Sequence, residues 1–298
     1  MDILNKEAWE QKALIKAGAL SAQELMQETL ARIKTVNPMV NALVDLLNEE
    51  DCVNLTFENY ALERSLGGMP MAIKDLANVK GFKTTEGSPL YSGRVAQKDD
   101  QMVARLRAAG ALFIGKTNTP EFGLGSNTFN PVYGKTKNPY DLSKTCGGSS
   151  GGAAVALATR MLSISDGSDM MGSLRNPAAW NNIYGLRPTW GLVPPEPTGE
   201  MFLSQLSTLG PMARSPKDLA MLLDVQANRI ENESFISSAK TFSNFTEEPI
   251  MKGIKVGWLG DWSGTLPFED GLLDLSQEAL NEMSSLGAII HDLKAPFE

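Results

Sequence analysis

The stretch from residue 254 to residue 293 determines the fold class that this sequence predicts. It contains "IKVGWL" at 254–259, "LDLSQEALNEMSSLG" at 273–287 and "AIIHDL" at 288–293. The outer two runs are short and apolar, whereas the middle run has apolar residues at helical spacing. The stretch therefore predicts a strand, a helix and a second strand, which is the β–α–β unit of layered α/β folds.

The same alternation of helices and strands extends over the rest of the chain. Residues 7–35 are predicted to be helical, and "GMPMAIKDL" at 68–76 is predicted to form a buried strand. A helix that stops at Gly110 leads into a strand at 111–115. We therefore expect an α/β fold around a largely buried sheet. The polar, aperiodic segment 228–253 is expected to be a long surface loop or a subdomain boundary.

Composition excludes several classes of function. The 298 residues carry a net charge of −8, which argues against direct binding of nucleic acid. No run approaches the ~18 apolar residues of a membrane span, and two cysteines without a secretory signal indicate a cytoplasmic protein. The chain has one histidine, His291. Because metal sites and proton transfer commonly use histidine, we expect no metal or cofactor, and any base is expected to be another residue.

The glycine-rich loop "TCGGSSGG" at 145–152 has several interpretations. It lacks the lysine of a phosphate-binding loop. "GALFIGKT" at 110–117 matches that motif by its letters, but its middle residues are the predicted strand. "GSSGG" at 148–152 matches a nucleophile elbow centred on Ser150, which requires a histidine base. His291 lies in a predicted strand, where it would share a face with Ile289 and Leu293 and be a packed histidine, so a lysine base is the interpretation that we favour.

Lys74 is the candidate base, since it lies within the apolar run "MAIKDL". Burial disfavours the charged form of lysine and lowers its pKa, and a neutral lysine can act as a general base. Asp75 points to the opposite face of the strand and need not keep Lys74 charged. Taken alone, Lys74 would be interpreted as a lysine at a strand end that reaches solvent, and the segments that accompany it favour the base instead.

Three segments together resemble the amidase signature family. They are "GMPMAIKDL" at 68–76, "TCGGSSGGAAVAL" at 145–157 and "DGSDMMGSLRNPAA" at 166–179, and the resemblance extends from about residue 5 to the end of the chain. It implies a single domain over residues 1–298, built as an α/β/α sandwich around a mixed central sheet. The family hydrolyses carboxamide C–N bonds, so the resemblance implies an amidase acting on a small-molecule linear amide.

The resemblance also assigns residues to roles. Ser173 matches the nucleophile that forms the acyl-enzyme, Ser149 matches the serine that follows a cis peptide bond and relays a proton, and Lys74 matches the general base. The N–H groups of Met170, Met171, Gly172 and Ser173 are expected to form the oxyanion hole. The expected supporting residues are Gly148, Ser150 as the helix N-cap, Asp169 and Arg175, with Cys146 a small buried filler beside them.

This sequence departs from the family in two respects. Met171 stands where a glycine is usual, so a backbone with positive φ would be strained there; we favour the view that Met170 and Met171 mark a subgroup with its own pocket shape. The chain is also shorter than is usual, so we expect a fold that is incomplete on its C-terminal side. Either the chain is a fragment or a truncated gene product, or a second copy or a partner chain covers that side.

Two alternative functions remain open from the sequence. One is a truncated, non-catalytic remnant, or a subunit that needs a partner chain. The other is the glutamine-hydrolysing subunit of a tRNA-dependent amidotransferase, which shares the same motifs.

Overall fold

The structure, a computed structural model, describes residues 3–58, 63–196, 205–227, 241–244 and 251–296. The chain divides into two compact units, Met1–Ser243 and Asn244–Glu298. This division lies within the segment 228–253 that the sequence predicts to be a loop or a boundary. Most of that segment lies outside the described residues, so the loop prediction stays a prediction.

The N-terminal unit contains seven α-helices and eight strands in its described part. The helices are α1 Ala8–Lys16, α2 Ala22–Val40, α3 Glu49–Glu58, α4 Gln101–Ala108, α5 Gly151–Ala158, α6 Arg175–Trp180 and α7 Pro216–Gln226. The strands are β1 Leu43–Val44, β2 Pro70–Lys74, β3 Leu112–Thr117, β4 Phe129–Asn130, β5 Gly134–Lys135, β6 Ile164–Asp169, β7 Tyr184–Gly185 and β8 Thr208–Ala213.

The helix predicted over residues 7–35 is two helices. α1 ends before Gly18, whose φ of +70° is readily adopted only by glycine, and α2 begins after Ser21. The predicted capping box is present, because the Ser21 hydroxyl accepts the Glu24 N–H at 3.0 Å and the Glu24 carboxylate accepts the Ser21 N–H at 2.8 Å.

Six of these strands form two three-stranded sheets that meet at β2 and β6, and β4 and β5 form a separate antiparallel pair. One sheet has the order β1-β3-β2, with β2 parallel and β1 antiparallel to β3. The other has the order β6-β8-β7 and is antiparallel. The main-chain N–H of Lys74 in β2 donates to the Asp166 carboxylate in β6 at 3.0 Å, which joins the two sheets. The predicted mixed sheet is confirmed.

Helices cover both faces of this sheet, as side-chain alternation along its strands shows. Met71 and Ile73 of β2 enter one apolar cluster, which includes residues of α1, α4 and α7. Ala72, between them, enters a second cluster, which includes residues of α2 and α5. The predicted α/β/α sandwich is therefore confirmed. All six residues of β3 are buried, so "GALFIGKT" ends in a core strand and forms no phosphate-binding loop.

Helix α5 carries the glycine-rich loop into the core. Its residues are small and almost all buried, and its start approaches the end of β3 closely. A Cβ atom at Gly152 would lie only 2.3 Å from the backbone nitrogen of Asn118, so any larger residue there would push the helix away. The small residues of α5 thus hold residues 149–150 against the end of the sheet.

The C-terminal unit is a single β–α–β unit, as predicted. β9 Lys255–Trp258 pairs in parallel with β10 Ile289–Asp292, and α8 Leu272–Ser285 connects them. The prediction that His291 is packed is wrong, because its side chain is exposed. In the described part of this unit, the strand face that carries Ile289 and His291 is left uncovered, and Ile289 is 45% exposed. In the described part of the whole chain, no helix is both long and apolar enough to span a membrane.

Candidate active site

Lys74 occupies the last position of β2 and is almost completely buried. Its exposed fraction is 1%, yet its amine contacts hydroxyl groups instead of a counter-ion. Within the described residues, Lys74 forms no ion pair. The Nζ atom lies 2.7 Å from Ser149 Oγ, 2.8 Å from Ser150 Oγ and 3.0 Å from Ser168 Oγ. Each of the three hydroxyls can donate a hydrogen bond to the amine or accept one from it.

Burial lowers the pKa of Lys74 to about 7, although the negative charges of Asp166 and Asp169 oppose this shift. A substantial fraction of the amine is therefore neutral near pH 7. Asp75 takes no part in this, as predicted. Its carboxylate accepts from the Thr85 hydroxyl at 2.5 Å and lies 3.8 Å from the Lys116 amine.

The glycine-rich loop presents Ser149 to the amine. The peptide bond between Gly148 and Ser149 is cis, as the resemblance predicted. A Cβ atom at Gly148 would lie 2.9 Å from the backbone nitrogen of Asn127, so residue 148 must be glycine for the two backbones to approach. The loop is thereby packed between the end of β2 and residues 125–127.

The Ser150 hydroxyl does not cap α5, although Ser150 occupies the N-cap position. With φ −89° and ψ 39° it lacks the extended backbone of a capping serine, and its side chain makes no capping bond. The hydroxyl instead lies between Lys74 and Ser168, contacting the Lys74 amine at 2.8 Å and both the N–H and the carbonyl of Ser168 at 3.3 Å. The predicted capping role is wrong, whereas a supporting position is observed.

Ser168 is the site residue that the sequence predictions missed. It lies in β6, two residues beyond Asp166 and therefore on the same face of the strand. The motif "DGSD" offered a signal, because period-two spacing from a buried polar residue places another short hydroxyl beside the same neighbours. A cavity of about 270 Å³ opens here, lined by Lys74, Asp166, Ser168 and Trp190 among others.

Asp169 organises the Met170–Ser173 loop, the four residues that follow it. Its buried carboxylate accepts the N–H groups of Gly172 at 2.7 Å and Leu174 at 3.1 Å, together with the Arg175 guanidinium at 3.1 Å. Burial alone would raise the pKa of Asp169, but these hydrogen bonds lower it to about 2. Asp169 is therefore ionised at neutral pH and serves as the fixed centre of the loop.

Ser173 lies beside the glycine-rich loop, because its carbonyl accepts the Ser150 N–H at 3.2 Å. In the part of the chain that the structure describes, the Ser173 hydroxyl makes no hydrogen bond, and the residue is partly exposed.

The positive φ of the Met170–Ser173 loop falls on Gly172 at +111°, whereas Met171 is not among the residues with positive φ. Replacing the usual glycine by Met171 therefore introduces no φ strain, and its side chain is 87% exposed.

The predicted oxyanion hole requires one correction. The Gly172 N–H is already bonded to Asp169, so it cannot also bind a substrate oxygen.

Cys146 matches its prediction, since it is buried and burial raises the pKa of its thiol to about 11. No group of three or more metal-ligating side chains occurs within the described ranges.

A buried amine in contact with serine hydroxyls, at the centre of an α/β/α sandwich, defines a serine–lysine site. The chain matches the Amidase family over residues 24–297, and it belongs to that family.

Individual relatives agree in fold and sequence. A glutamyl-tRNA(Gln) amidotransferase subunit of Lactobacillus acidophilus is 34% identical over 99% of this chain and 61% of that protein. The structure of 6-aminohexanoate cyclic dimer hydrolase with its substrate has a TM-score of 0.87 at 28% identity, over 98% of this chain and 61% of that one. A bacterial aryl acylamidase has a TM-score of 0.86 at 27% identity, over 98% and 62%. This chain thus spans about 61% of the length of relatives that it matches.

Proposed function

We propose that the protein hydrolyses a linear carboxamide C–N bond through an acyl-enzyme on Ser173, with Ser149 as proton relay and neutral Lys74 as general base. One observation carries the proposal: Lys74 Nζ lies 2.7 Å from Ser149 Oγ in a buried site where no carboxylate of the described residues is bonded to the amine. A base must lie within hydrogen-bonding reach of the proton that it takes and have a pKa near the working pH. Lys74 meets both requirements.

The direction of the hydrogen bonds supports Ser149 as the proton donor to Lys74. A neutral amine has two N–H donors and one lone pair. The Ser168 carbonyl only accepts, so the Ser150 hydroxyl donates to it and must accept from Lys74. That leaves one N–H and the lone pair for Ser149 and Ser168. The shorter contact, at 2.7 Å, is the one to Ser149.

The proposed reaction balances without a cofactor. The Ser173 oxygen attacks the carbonyl carbon of the amide while its proton passes to Ser149 and the Ser149 proton passes to Lys74. The proton then returns by the same route to the nitrogen of the leaving amine as the C–N bond breaks. Water, deprotonated through the same chain, attacks the acyl-enzyme and releases the acid and the Ser173 hydroxyl.

The proposal is tested with a serine-reactive fluorophosphonate probe. The protein is expected to be labelled once per chain, and Ser173→Ala is expected to lose the label. Ser143→Ala is a matched control, because that serine bonds to Asp141 on the surface and should label as the parent does. Labelling of Ser173→Ala at the parent's rate would show that the nucleophile is another residue.

A second candidate function is the hydrolysis of glutamine for an amidotransferase. It is favoured by the 34% identity to a glutamyl-tRNA(Gln) amidotransferase subunit. The test is ammonia release from glutamine compared with release from aliphatic, aryl and amino-acid amides. Preference for glutamine would support this candidate, whereas hydrolysis of other amides alone would support a free-standing amidase.

The environment and partners of the chain also belong to the proposal. Two free, buried cysteines are compatible with the reducing cytoplasm. Leu275, Ile289 and Leu293 of the C-terminal unit are exposed, which supports a second chain covering this unit. Sedimentation velocity across a concentration series tests this, since a concentration-independent monomer would contradict self-association.

A further inference from the structure

The Met170–Ser173 loop has its peptide groups fixed one after another by hydrogen bonds. In a trans peptide the C=O of one residue and the N–H of the next point in opposite directions, so fixing either group orients the other. The Asn176 N–H binds the Gly172 carbonyl at 2.7 Å, which turns the Ser173 N–H away from α6. Asp169 holds the Gly172 N–H at 2.7 Å, which turns the Met171 carbonyl away from Asp169.

The remaining peptide of this loop is held by Arg187. Its guanidinium donates to the Met170 carbonyl at 3.1 Å, so the Met171 N–H points away from Arg187. Within the described part of the chain, the N–H groups of Met170, Met171 and Ser173 have no hydrogen-bond acceptor, and Arg187 orients that of Met171. These free N–H groups lie on a loop that ends in the candidate nucleophile, which is the arrangement of donors in an oxyanion hole.

Arg187 is itself firmly held. Besides the Met170 carbonyl it binds the Leu206 carbonyl at 2.7 Å and lies 3.4 Å from the Asp169 carboxylate. Its planar guanidinium can serve these acceptors together, which the single amine of a lysine cannot do equally well. Arg187 belongs to the motif "GLRPTWG" at 185–191. This motif thus contributes to the site, although Arg187 is not the nucleophile, the relay or the base.

Arg175 provides the internal comparison. It binds the same Asp169 carboxylate through Nε and a terminal nitrogen, both at 3.1 Å, but it bonds to no carbonyl of the Met170–Ser173 loop. Its side chain is 55% exposed, whereas that of Arg187 is 26% exposed. Of the two arginines around Asp169, only Arg187 therefore acts on the Met170–Met171 peptide.

We propose that Arg187 is a positioning residue for the oxyanion hole: by holding the Met170 carbonyl, it directs the Met171 N–H at the carbonyl oxygen of the substrate. This inference rests on the proposed function, since it requires Ser173 to be acylated. The Met171 N–H and the Ser173 N–H then act as donors of the hole, while the Gly172 N–H maintains the loop.

The test compares Arg187→Met, Arg187→Lys and Arg175→Met in fluorophosphonate labelling and in hydrolysis of the best simple amide. Loss of one oxyanion donor typically lowers kcat by about 10²- to 10³-fold. For Arg187→Met we expect a loss of about 10²-fold in labelling rate and in kcat, with KM nearly unchanged. Arg187→Lys should recover part of the loss, and Arg175→Met should lose far less than Arg187→Met.

Two outcomes overturn the inference while leaving the proposed function intact. They are labelling of Arg187→Met at the parent's rate, and an equal loss in Arg175→Met, which would mean that the charge balance at Asp169 matters instead. If the parent is not labelled at Ser173, the proposed function fails. Crystal structures of the parent and Arg187→Met then decide the inference, because an unchanged Met170–Met171 peptide would contradict it.

Discussion

Two buried lysines on neighbouring strands have opposite surroundings. Lys74 ends β2 and Lys116 lies in β3, in a register that pairs Lys74 with Thr117 and Ile73 with Lys116. Their exposed fractions are 1% and 0%. The Lys116 amine donates to the Ala77 carbonyl at 2.5 Å and lies 3.8 Å from the Asp75 carboxylate, whereas the hydrogen-bond partners of the Lys74 amine are serine hydroxyls.

Burial by itself does not make a lysine a base. Burial lowers the pKa of both amines. Beside Lys116, the charge of Asp75 opposes that shift at close range, and the two groups form an ion pair. Among the described residues no carboxylate is bonded to the Lys74 amine, so its neutral form is accessible and its hydroxyl partners can deliver protons. The two lysines therefore differ in the groups bonded to their amines, and changing either amine or its partners should have different consequences.

Removing the Lys74 amine is expected to have the largest effect. Because general-base catalysis typically contributes 10²- to 10⁴-fold, Lys74→Ala should lower kcat for amide hydrolysis at pH 7 by about 10³-fold. Thermal unfolding, monitored by circular dichroism, should show that the variant still folds. Unchanged hydrolysis at neutral pH would rule out the lysine-base mechanism.

Removing the Lys116 amine should affect folding instead of chemistry. Lys116→Met leaves the Asp75 carboxylate buried without its partner, which typically costs about 3–5 kcal/mol of unfolding free energy. Urea unfolding of this variant measures the loss, and the double variant Lys116→Met/Asp75→Asn should recover part of it. If the double variant is no more stable than the single one, the pair is not coupled.

The hydroxyls that orient the Lys74 amine should have intermediate effects. Ser150→Ala removes the group that accepts one N–H of the amine, so the lone pair is less well directed towards Ser149. We expect a loss of about tenfold in kcat, against about 10²-fold for Ser149→Ala, which interrupts the proton relay itself. Equal losses in the two variants would contradict the assignment of Ser149 as the relay.

The pH dependence of kcat/KM should show the smallest change. Since the Lys74 pKa is about 7, activity is expected to rise with a midpoint near pH 7 as the amine loses its proton. The carboxylates of Asp166 and Asp169 favour the charged amine, so Asp166→Asn should lower this pKa and move the rise to lower pH, by less than about one unit. The Asn side-chain oxygen can still accept the Lys74 N–H. A midpoint that stays in place would show that Asp166 has no electrostatic effect on the base.

The sequence predicted those features that depend on local pattern. The strand around Lys74, the helix after the glycine-rich loop and the β–α–β unit follow from periodicity and breaker residues. The cis bond before Ser149 followed from the family resemblance. The predictions were wrong for the Ser150 hydroxyl and for the Gly172 N–H, and they did not include Ser168. Each of these depends on backbone dihedrals or on the meeting of β2 with β6, about 90 residues apart in sequence, and no local pattern encodes that meeting.

The prediction that His291 is packed was wrong for a different reason. Period-two alternation identifies which residues share a face of a strand, but it does not determine whether another layer covers that face. Among the described residues of the C-terminal unit, no layer covers it. Sequence motifs also do not show which separate segments meet. The motif around Ser173 includes Arg175, but it does not reveal that Arg187, in another motif, bonds to a carbonyl of the same loop.

The carboxylate bridge between the two sheets has a mechanical consequence. Asp166 joins β6 to β2 at Lys74, so the amine stands on the line where the two halves of the central sheet meet. Its partners Ser149 and Ser150 belong to the segment that enters α5, and Ser168 belongs to the other half-sheet. A slide of one half past the other would lengthen these contacts unequally. The geometry of the site thus depends on the alignment of the two half-sheets. Mutations where β2 meets β6 should disturb proton transfer before they unfold the protein.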